Sequence, residues 1–430
     1  MNFYDAAYLA SLPVLAPAIA YKRFKHGKYK DSLPGMLGKR LPPRPLDPAQ
    51  VERCWLHSVS VGETIAAGSI FREIERRRLG WEFLATTTTE TGQAQALQTL
   101  AGANTFAFAP ADFSWVVRRF HEVYRPSLYC FFETEIWPNN LAECGRRGLP
   151  VYMINGKMSD RSSRRYAKFA NVFRGPLSNV RRFFVQTESD AERIARVVGT
   201  ETRITVTGNV KFDALPDPLS GRERSEIRRA WGFSENQVAL IAGSTHPGEE
   251  EIVLRAFRSV RDAEPKARLV IAPRHPERFE EVAELLMARG WDFHRTSEGP
   301  WPGEGSPTVV LLDQMRVLAK SYGAAEVALV AGSWAPIGGH NLLEAAIHGI
   351  PVVRGPNMFN QREIVRVLGP EQGAPQVSEH SLAKVLLSLV RDPEKRQRMG
   401  ERAAAAARSS KGAAHKTVDL LLEDLERFRT

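Results

Sequence analysis

A glycine-rich turn followed by a carboxylate makes residues 332–360 the most informative part of this sequence. The chain turns through Gly338 and Gly339 and opens a helical pattern at His340. This arrangement points backbone N–H groups and the positive end of a helix dipole at a bound group, which is normally a phosphate. Glu344, about one helical turn later, could accept hydrogen bonds from two adjacent sugar hydroxyls. The pattern favours a nucleotide-sugar site; the alternative is a tight connection in which the carboxylate only complements the dipole.

Carboxylates also stand at two strand-to-helix turns in the first half of the chain. At the first turn, Glu63 could take a proton from an attacking hydroxyl, or it could cap the first turn of a helix. At the second, Glu133 and Glu135 could form a catalytic pair or complement a helix dipole. We interpret Glu133 as structural and leave the role of Glu135 open.

Further turns of this kind carry hydroxyls and cations. Four threonines, residues 86–89, follow a strand-like run, and their position slightly favours ligand contact over β-propensity and capping. Residues 155–165 are rich in Lys and Arg, so they form either a solvated helix face or a grip on the phosphates of an acidic lipid. Arg274 could neutralise a phosphate, and Pro273 and Pro276 stiffen the loop that presents it.

The composition excludes several classes of protein. The chain has 43% hydrophobic residues, and its net charge of +10 favours an anionic partner. The basic residues lack the interleaved aromatic strips of RNA-binding sheets, so we expect no nucleic-acid partner. The absence of GxGxxG, GxxxxGK(S/T), HExxH and a DxD between strands argues against a dinucleotide, an ATP loop and a metal site. We therefore expect no cofactor, and arginine and helix N-termini must stabilise a departing phosphate.

The three cysteines are Cys54, Cys130 and Cys144. They lie far apart with no CxxC spacing, which argues against a disulfide framework and a zinc site. Cys54 and Cys130 fall inside apolar runs, so we predict that they are buried core residues.

The N-terminus predicts an attachment to a membrane. Residues 6–21 carry no charge and are followed by a cluster of basic residues, the opposite order to that of a secretory signal. The run is short for a full span and contains Pro13 and Pro17. We interpret residues 1–21 as a membrane-surface anchor or a marginal span, with the basic linker of residues 22–50 at anionic head groups. The alternative is a buried N-terminal helix.

Beyond residue 50, short apolar runs alternate with amphipathic ones, which predicts an α/β fold with parallel sheets built from βαβ units. The predicted strands are 54–59, 81–86, 105–109, 127–132, 151–154, 182–185 and 203–206, and then 238–242, 268–271, 309–312, 327–330 and 351–353. The predicted helices are 63–78, 91–99, 114–123, 137–147, 189–198, 249–262, 277–289, 341–348, 361–368, 380–390 and 393–428. Two doubly wound halves joined near residues 208–220 would bind ligands at the carboxyl ends of their strands, in the cleft between them.

Seven motifs, in order along nearly the whole chain, resemble those of the bacterial lipid A 3-deoxy-D-manno-octulosonic acid (Kdo) transferases. They are HSVSVGE (57–63), TTTTETG (86–92), ETEIWPN (133–139), VTGNVKFD (206–213), AGSTHPGEEE (242–251), APRHPERF (272–279) and GGHNLLEAA (338–346). Members of that family are membrane-associated glycosyltransferases with two Rossmann-like domains facing a central cleft (GT-B). The resemblance implies inverting, metal-independent transfer of Kdo from CMP-Kdo to a lipid A precursor (lipid IV-A) at the cytoplasmic face of the inner membrane.

The resemblance and the loops together imply roles for domains and residues. Residues 51–212 would form the acceptor-binding domain, 213–220 a linker, 221–405 the CMP-sugar-binding domain, and 406–430 a helix that could pack back on the first domain. Glu63, in the SVGE motif, would be the catalytic base. The expected nucleotide-sugar contacts are Ser244, Thr245, Pro273, Arg274, His275, Gly338, Gly339, His340, Asn341, Glu344 and Asn360. The expected acceptor contacts are Ser60, Gly62, Thr88, Thr89, Glu135, Lys157 and Arg161.

The sequence departs from the family's motifs at one position, and two other functions are alternatives. Lys157 stands where the family commonly has an arginine, which keeps the charge but loses bidentate geometry. A UDP-sugar epimerase with two such domains would have a similar phosphate and ribose site, but would need several carboxylates around the sugar and no anchor. A non-catalytic membrane lipid-binding protein would bind acidic lipid through the basic flank and release no CMP.

Overall fold

The computed structural model describes residues 2–26, 31–43, 51–200 and 202–430. The chain forms two compact units. Unit 1 comprises Met1–Ala214 together with Lys411–Thr430, and unit 2 comprises Leu215–Ser410. Each unit is an α/β structure built on its own parallel sheet, as the alternating sequence pattern predicted.

Unit 1 is built on a seven-stranded sheet in which all neighbouring strands run parallel. Its strands are β1 (Arg53–His57), β2 (Glu82–Thr87), β3 (Thr105–Phe108), β4 (Leu128–Phe132), β5 (Val151–Gly156), β6 (Val180–Val185) and β7 (Ile204–Val206). Their order is β3-β2-β1-β4-β5-β6-β7, so the direction of winding reverses between β1 and β4. In such sheets ligands bind at the carboxyl ends of the strands at this reversal. Glu63 follows β1 and Glu133 follows β4, so both glutamates lie there.

Helices cover both faces of this sheet. Cys54 and Leu56 pack into one hydrophobic cluster and the intervening Trp55 packs into another, as the two-residue period of a strand requires. Because both faces are covered, the central strands are buried along their whole length and read as continuous apolar runs. The helices of unit 1 are α1 (Phe3–His26), α2 (Ser32–Met36), α3 (Val61–Arg76), α4 (Glu90–Thr99), α5 (Ser114–Tyr124), α6 (Pro138–Arg146), α7 (Asp160–Lys168), α8 (Ala170–Ser178), α9 (Glu188–Val198) and, after unit 2, α18 (Ala413–Arg429).

Unit 2 has a six-stranded parallel sheet with the order β10-β11-β9-β8-β12-β13. Its strands are β8 (Val238–Thr245), β9 (Ala267–Pro273), β10 (Phe293–Arg295), β11 (Val309–Leu311), β12 (Val327–Val330) and β13 (Val352–Arg354). Its helices are α10 (Gly221–Ala230), α11 (Glu249–Ala263), α12 (Phe279–Ala288), α13 (Leu318–Ser321), α14 (Leu343–Ala346), α15 (Arg362–Val367), α16 (Glu379–Arg391) and α17 (Pro393–Ser409). Winding reverses between β8 and β12, which places the loops after these two strands at the expected ligand edge.

Helix α1 docks on unit 1 through its first two turns. The buried Asp5 carboxylate accepts hydrogen bonds from the N–H (2.8 Å) and the hydroxyl (2.7 Å) of Ser114, at the start of α5. The Tyr4 hydroxyl donates to the Val172 carbonyl at 2.6 Å, and the Tyr8 hydroxyl donates to Asp112 at 2.9 Å. The helix continues to His26, past the expected end of the anchor at residue 21. In the ranges that the structure describes, no helix combines the length and the apolar character that a membrane crossing requires.

The structure corrects several predicted elements. The helix predicted at 341–348 is only the four-residue α14, because Asn341 hydrogen-bonds the Leu343 N–H through its side chain before the helix begins. The helix predicted at 393–428 is two helices, α17 and α18, separated by Gly412 at a φ of 102°. Strand β10 and the helices α2, α8, α10 and α13 were not predicted. The prediction that Cys54 and Cys130 are buried is confirmed.

The last helix, α18, belongs to unit 1. The Asp213 carboxylate accepts hydrogen bonds from the N–H groups of Gly412 (2.6 Å) and Ala414 (2.9 Å), which fixes where the helix starts. Val418 and Leu421 are fully buried in the same cluster as α3. The chain therefore leaves unit 1 after Ala214, builds unit 2, and returns to complete the core of unit 1.

Candidate active site

The Glu63 carboxylate is held in one position at the carboxyl end of β1. Ser60 is the N-cap of α3, and its side-chain oxygen accepts the Glu63 N–H at 3.3 Å. The carboxylate in turn accepts hydrogen bonds from the Val59 N–H at 2.9 Å and from the Ser60 hydroxyl at 2.8 Å. The capping role is therefore present in the structure. It leaves lone pairs of both oxygens free to accept a proton, because a carboxylate has about four acceptor sites.

Electrostatics make Glu63 a stronger base than an exposed glutamate. Burial raises its pKa, and the charge of Glu133 raises it further, whereas Val59, Ser60 and Lys211 lower it. A raised pKa brings a carboxylate nearer to neutral pH, where a general base works best.

Lys211 and Glu133 form an ion pair beside the turn that carries Glu63. The Lys211 ammonium lies 2.5 Å from the Glu133 carboxylate. Glu133 has a φ of 54°, a left-handed conformation that costs a non-glycine residue roughly 1–2 kcal/mol. A Cβ built on Gly62 would lie 3.4 Å from the Lys211 ammonium, so the lysine sits directly over the turn that carries Glu63. Lys211 lies within the VTGNVKFD motif, but its partner is 78 residues away, so the sequence alone predicted no role for it.

Glu135 is the third carboxylate of this site, after Glu63 and Glu133. Burial raises its pKa to about 7, and the charges of Glu63 and Glu133 contribute. This side chain therefore keeps its proton to a higher pH than an exposed glutamate does. Two carboxyl groups with different environments can act as hydrogen-bond donor and acceptor toward one substrate.

The other residues expected at the acceptor lie in two places: Thr88 and Thr89 precede α4, and Lys157 and Arg161 follow β5. The Thr88 hydroxyl is 3.5 Å from the Val59 carbonyl, at the edge of hydrogen-bonding range, and the Thr89 side chain caps α4 by accepting the Gly92 N–H at 3.0 Å. The Thr134 hydroxyl donates to the carbonyl of the exposed Lys157, which brings this lysine beside the glutamate loop. Arg161 is exposed in the first turn of α7.

In unit 2, the loops after β8 and β9 are joined to each other. The Arg274 N–H donates to the Thr245 carbonyl at 3.0 Å. Ser244 is buried at a φ of 58°, another left-handed non-glycine residue at a strand end. The Pro273 ring ends β9, and the Arg274 and His275 side chains that follow are exposed.

The glycine pair after β12 forms a tight turn, but a backbone N–H of this turn has a different hydrogen-bond partner from the predicted one. Gly338 and Gly339 have φ values of 103° and 80°, and a Cβ on them would lie 2.3 Å from Asn360 and 2.2 Å from Met358. The Gly339 N–H, which was expected to face a phosphate, donates to the Gly332 carbonyl at 2.7 Å. Asn360 supports the turn, since its N–H donates to the Gly338 carbonyl at 3.1 Å.

Arg274 is the cation of this second site, and its charge acts on the titratable side chains of His340 and Glu344. Burial raises the pKa of Glu344, while the hydrogen bond from Asn341 at 3.2 Å and the charge of Arg274 lower it. Burial also lowers the pKa of His340 to about 4, and the charge of Arg274 contributes. The charge of the exposed Arg274 thus lowers the pKa of His340, expected at the phosphate, and that of Glu344, expected at the ribose.

Glu249 has a role that the sequence analysis missed. This fully buried carboxylate accepts hydrogen bonds from four successive backbone N–H groups, at 2.7 to 3.1 Å, and from the His246 N–H at 3.1 Å. The four are residues 332–335, immediately after β12. Successive amides of this kind form an anion-binding nest. Here the protein's own carboxylate fills it, so a substrate phosphate must bind elsewhere on the loop.

We expect Glu249→Ala to lower the free energy of unfolding by roughly 3 kcal/mol or more, because several buried N–H donors lose the carboxylate that accepts them. Urea denaturation of the full chain measures the change. The control is Glu251→Ala on the same helix, whose partly exposed ion pair with Arg289 contributes at most about 1 kcal/mol. Equal denaturation midpoints for the two variants would contradict the role of Glu249.

Comparisons with known proteins find sequences similar to this chain in one family. The family model described as 3-deoxy-D-manno-octulosonic-acid transferase (kdotransferase) matches residues 27–214. The chain is 31% identical to the 3-deoxy-D-manno-octulosonic acid transferase of Haemophilus influenzae over 430 residues, 99% of each chain. It is 33% identical to the Bordetella pertussis protein of the same name over 381 residues, 85% of this chain and 86% of that one.

A solved structure is similar in fold alone. The UDP-GlcNAc 2-epimerase from Neisseria meningitidis, bound to UDP-GlcNAc, has a TM-score of 0.58 and 15% sequence identity, and the match covers 86% of this chain and all of that one. At this identity the comparison gives two Rossmann-like units and no activity.

Proposed function

Since the chain belongs to the 3-deoxy-D-manno-octulosonic acid transferase family, we propose that it takes Kdo from CMP-Kdo and adds it to a lipid A precursor. The chain is a glycosyltransferase that transfers Kdo in lipopolysaccharide biosynthesis. The donor, the acceptor, the catalytic residues and the place of reaction are our proposal. The observation that carries the mechanism is the Glu63 carboxylate, fixed by two donors at the strand edge where ligands bind.

Unit 1 supplies the base. Glu63 accepts the proton of a sugar hydroxyl on the acceptor, and the resulting oxygen attacks the anomeric carbon of Kdo. The bond from that carbon to the phosphate oxygen of CMP breaks, and its electron pair leaves with the phosphate. A single displacement of this kind inverts the anomeric configuration. The Glu133 charge raises the proton affinity of Glu63. Lys211, which pairs with Glu133, partly opposes this effect and limits the repulsion of an anionic substrate.

Unit 2 holds the donor. Arg274 neutralises the CMP phosphate, supported by the N–H groups of His340 and Asn341, and Glu344 accepts hydrogen bonds from the ribose hydroxyls. These groups supply the positive charge that a departing phosphate needs, so we propose that transfer requires no metal ion. Ser244 and Thr245 contribute backbone and hydroxyl contacts at the end of β8.

The acceptor lies at the carboxyl edge of the unit 1 sheet. Glu135, partly protonated near neutral pH, donates to or accepts from a sugar hydroxyl. Lys157, beside the same loop, and Arg161, in the first turn of α7, meet the phosphates of the precursor. A lysine supplies point charge there rather than the bidentate fork of an arginine.

We place the reaction at the cytoplasmic face of the inner membrane. Apolar side chains are exposed on α1 and beside the elements it contacts: Phe3, Leu9, Leu12, Trp115 and Phe169. We call these five residues the apolar face. Trp115 stacks on Phe113, which contacts Tyr8 of α1, and Lys168 lies over the ring of Phe169. Exposed aromatic residues flanked by basic ones are typical of proteins that lie on anionic lipid.

Combined replacement of Trp115 and Phe169 by Ser should weaken binding to vesicles that contain an anionic phospholipid by about tenfold or more, because two rings no longer leave water. Co-sedimentation with anionic and with zwitterionic vesicles measures this binding. The control is Leu97→Ser on α4, an equally exposed apolar residue outside the apolar face. If the double variant and the control bind vesicles equally, the apolar face is not the membrane contact.

A CMP-release assay tests the function and separates it from its rivals. The full chain is incubated with CMP-Kdo, with and without a lipid A precursor, and with UDP-GlcNAc in a third arm. We expect CMP release that depends on the precursor and persists in EDTA. An altered free UDP-sugar in the third arm would indicate an epimerase, and precursor binding without CMP release would indicate a lipid-binding protein.

A further inference from the structure

Helix α6 begins just after the loop that carries Glu135, and its first residues do not cap it. The N-cap residue is Trp137, whose side chain makes no capping hydrogen bond, and Pro138 follows it without an N–H. The next two backbone N–H groups, those of Asn139 and Asn140, have no acceptor within the helix, as at every helix start. A group from another part of unit 1 must therefore satisfy them.

Asp112, in the loop between β3 and α5, supplies this cap. Its carboxylate oxygens accept the N–H of Asn139 at 3.0 Å and the N–H of Asn140 at 2.9 Å. The carboxylate is buried and lies at the positive end of the helix dipole, where a negative charge is stabilising. Asp112 is 27 positions before Asn139, so the start of α6 is fixed by a tertiary contact.

The first two turns of α1 take part in the same contact. The Tyr8 hydroxyl donates to the Asp112 carboxylate at 2.9 Å, to the oxygen that also accepts the Asn139 N–H. The Asn139 side chain donates to Asp5 at 3.1 Å and accepts from the Asn2 side chain at 2.6 Å. Helix α1 is therefore hydrogen-bonded both to the cap of α6 and to a residue in its first turn.

The Tyr8 hydroxyl stabilises the charge of the cap. Burial raises the pKa of Asp112 to about 6, whereas the hydrogen bonds from Asn139, Asn140 and Tyr8 lower it. Hydrogen bonds to an ionised group are roughly twice as strong as those between neutral groups. Removal of the hydroxyl would leave a buried carboxylate oxygen with one donor fewer, which weakens its hold on α6.

The cap is close to the acceptor site along the chain. Glu135 lies three residues before Pro138, the first residue of α6. Between them, the Trp137 ring packs edge-on against the ring of His57, at the end of β1, with centroids 6.1 Å apart. A change at the start of α6 therefore reaches the glutamate loop directly. A misplacement of about 1 Å at a substrate contact can lower a rate by about 100-fold.

We propose that helix α1 is a positioning element of the acceptor site: through Tyr8 and Asp112 it fixes the start of α6, and with it the position of Glu135. The proposal rests on the proposed function, in which Glu135 contacts a sugar hydroxyl of the acceptor. Tyr8 and Asp112 touch no substrate and are positioning residues. The helix that we place on lipid thus also shapes the site that receives the lipid substrate.

A matched pair of tyrosine variants tests this proposal. Tyr8→Phe removes the hydroxyl on Asp112 and keeps the ring that packs on Phe113. The control is Tyr4→Phe, one turn earlier, which removes the hydroxyl that α1 donates to the Val172 carbonyl of α8. Both are assayed with CMP-Kdo and a lipid A precursor dispersed in detergent, so that vesicle binding plays no part.

We expect Tyr8→Phe to lower kcat/KM for the precursor by about fivefold, because one hydrogen bond that positions the loop is lost. The KM for CMP-Kdo should keep its wild-type value, since we assign the donor to unit 2. Tyr4→Phe should match the wild type in both quantities. A general loss of stability would not distinguish the two substrates in this way.

Hydrogen exchange, followed by mass spectrometry of peptides that cover α6, measures the start of the helix without catalysis. We expect exchange to be about threefold faster or more in Tyr8→Phe, and unchanged in Tyr4→Phe. Asp112→Asn leaves one side-chain oxygen to accept two N–H groups, so it should increase exchange further and lower kcat/KM for the precursor more than Tyr8→Phe does.

The outcomes separate this inference from the function beneath it. Equal kcat/KM for the precursor in Tyr8→Phe and Tyr4→Phe would overturn the inference and leave the proposed function standing, as would unchanged exchange of α6 in Tyr8→Phe and Asp112→Asn. If the wild type transfers no Kdo, the proposed function fails, and the inference about the acceptor site fails with it.

Discussion

Glu63→Gln is expected to reduce kcat for Kdo transfer by about 10²–10⁴-fold, the range for loss of a general base. The amide has nearly the same shape as the carboxylate but cannot accept the proton of the attacking hydroxyl. Affinity for the donor should be unchanged, because we assign the donor to unit 2. Initial rates at saturating CMP-Kdo and lipid A precursor measure the effect, and calorimetry with CMP measures donor-site binding.

Two controls accompany this variant. Glu188→Gln makes the same change at an exposed first-turn position, on α9 of the same unit, and should keep the wild-type rate. The amide that replaces the Glu63 carboxylate can still accept from one of its two donors, so the unfolding free energy should fall by only about 1 kcal/mol. A folded Glu63→Gln enzyme with a near-normal kcat would show that another group removes the proton.

Arg274→Ala is expected to lower kcat/KM for the donor by about 10²–10³-fold, as for removal of one preorganised group that stabilises developing charge. The side chain is exposed, and the ranges that the structure describes contain no ion pair to its guanidinium, so its charge is available to a ligand. Arg274→Lys should recover part of the loss, since it keeps the charge and loses the fork geometry. Steady-state kinetics with varied CMP-Kdo measure both variants.

Loss of Arg274 should leave the fold intact. The matched control is Arg222→Ala, an exposed residue of α10 in the same unit whose ion pair with Glu226 lies on the surface. Its kinetics and denaturation midpoint should equal those of the wild type. If Arg274→Ala has the same kcat/KM as this control, the phosphate of the donor is neutralised elsewhere.

Local sequence patterns were sufficient to predict the strands other than β10, and the loops that follow them. The two series of apolar runs predicted both parallel sheets, because strands buried on both faces have a distinctive composition. The glycine pair 338–339 was recognisable as a turn, and its φ values agree. Ser60 and Glu63 show why function could not be separated from capping: the structure gives the carboxylate its capping contacts and the raised pKa of a base at once.

Interactions between distant parts of the chain were beyond such patterns. Glu249 fills the amide nest of residues 332–335 from 83 to 86 positions away, and no local signal links them. Lys211 reaches Glu133 across 78 positions, so the interpretation of Glu133 as a dipole residue omitted its main partner. The Gly339 amide was assigned to a phosphate because sequence cannot show that the Gly332 carbonyl accepts it. A buried acid just after a Pro-Gly turn, as at Glu249, is the one signal that could have been read.

The N-terminal segment contacts unit 1 through its first two turns. Asp5, the only charged side chain before residue 22, fixes α1 on unit 1 because it accepts hydrogen bonds from Ser114. Within these two turns Asp5 is buried, but Phe3 and Leu9 are exposed, so the buried-helix alternative does not describe them. The exposed Leu9 and Leu12 further along the helix support our proposal that this surface lies on lipid.

Analysis of both products from one reaction tests the central claim most directly. Purified chain, CMP-Kdo and a lipid A precursor are incubated together, and the lipid is examined by mass spectrometry while free CMP is quantified. The account predicts a lipid that carries Kdo, one CMP released for each Kdo transferred, and neither product from Glu63→Gln at the wild-type rate. CMP released while the lipid stays unmodified would contradict it, since the bond to Kdo would then be broken by water rather than by an acceptor hydroxyl.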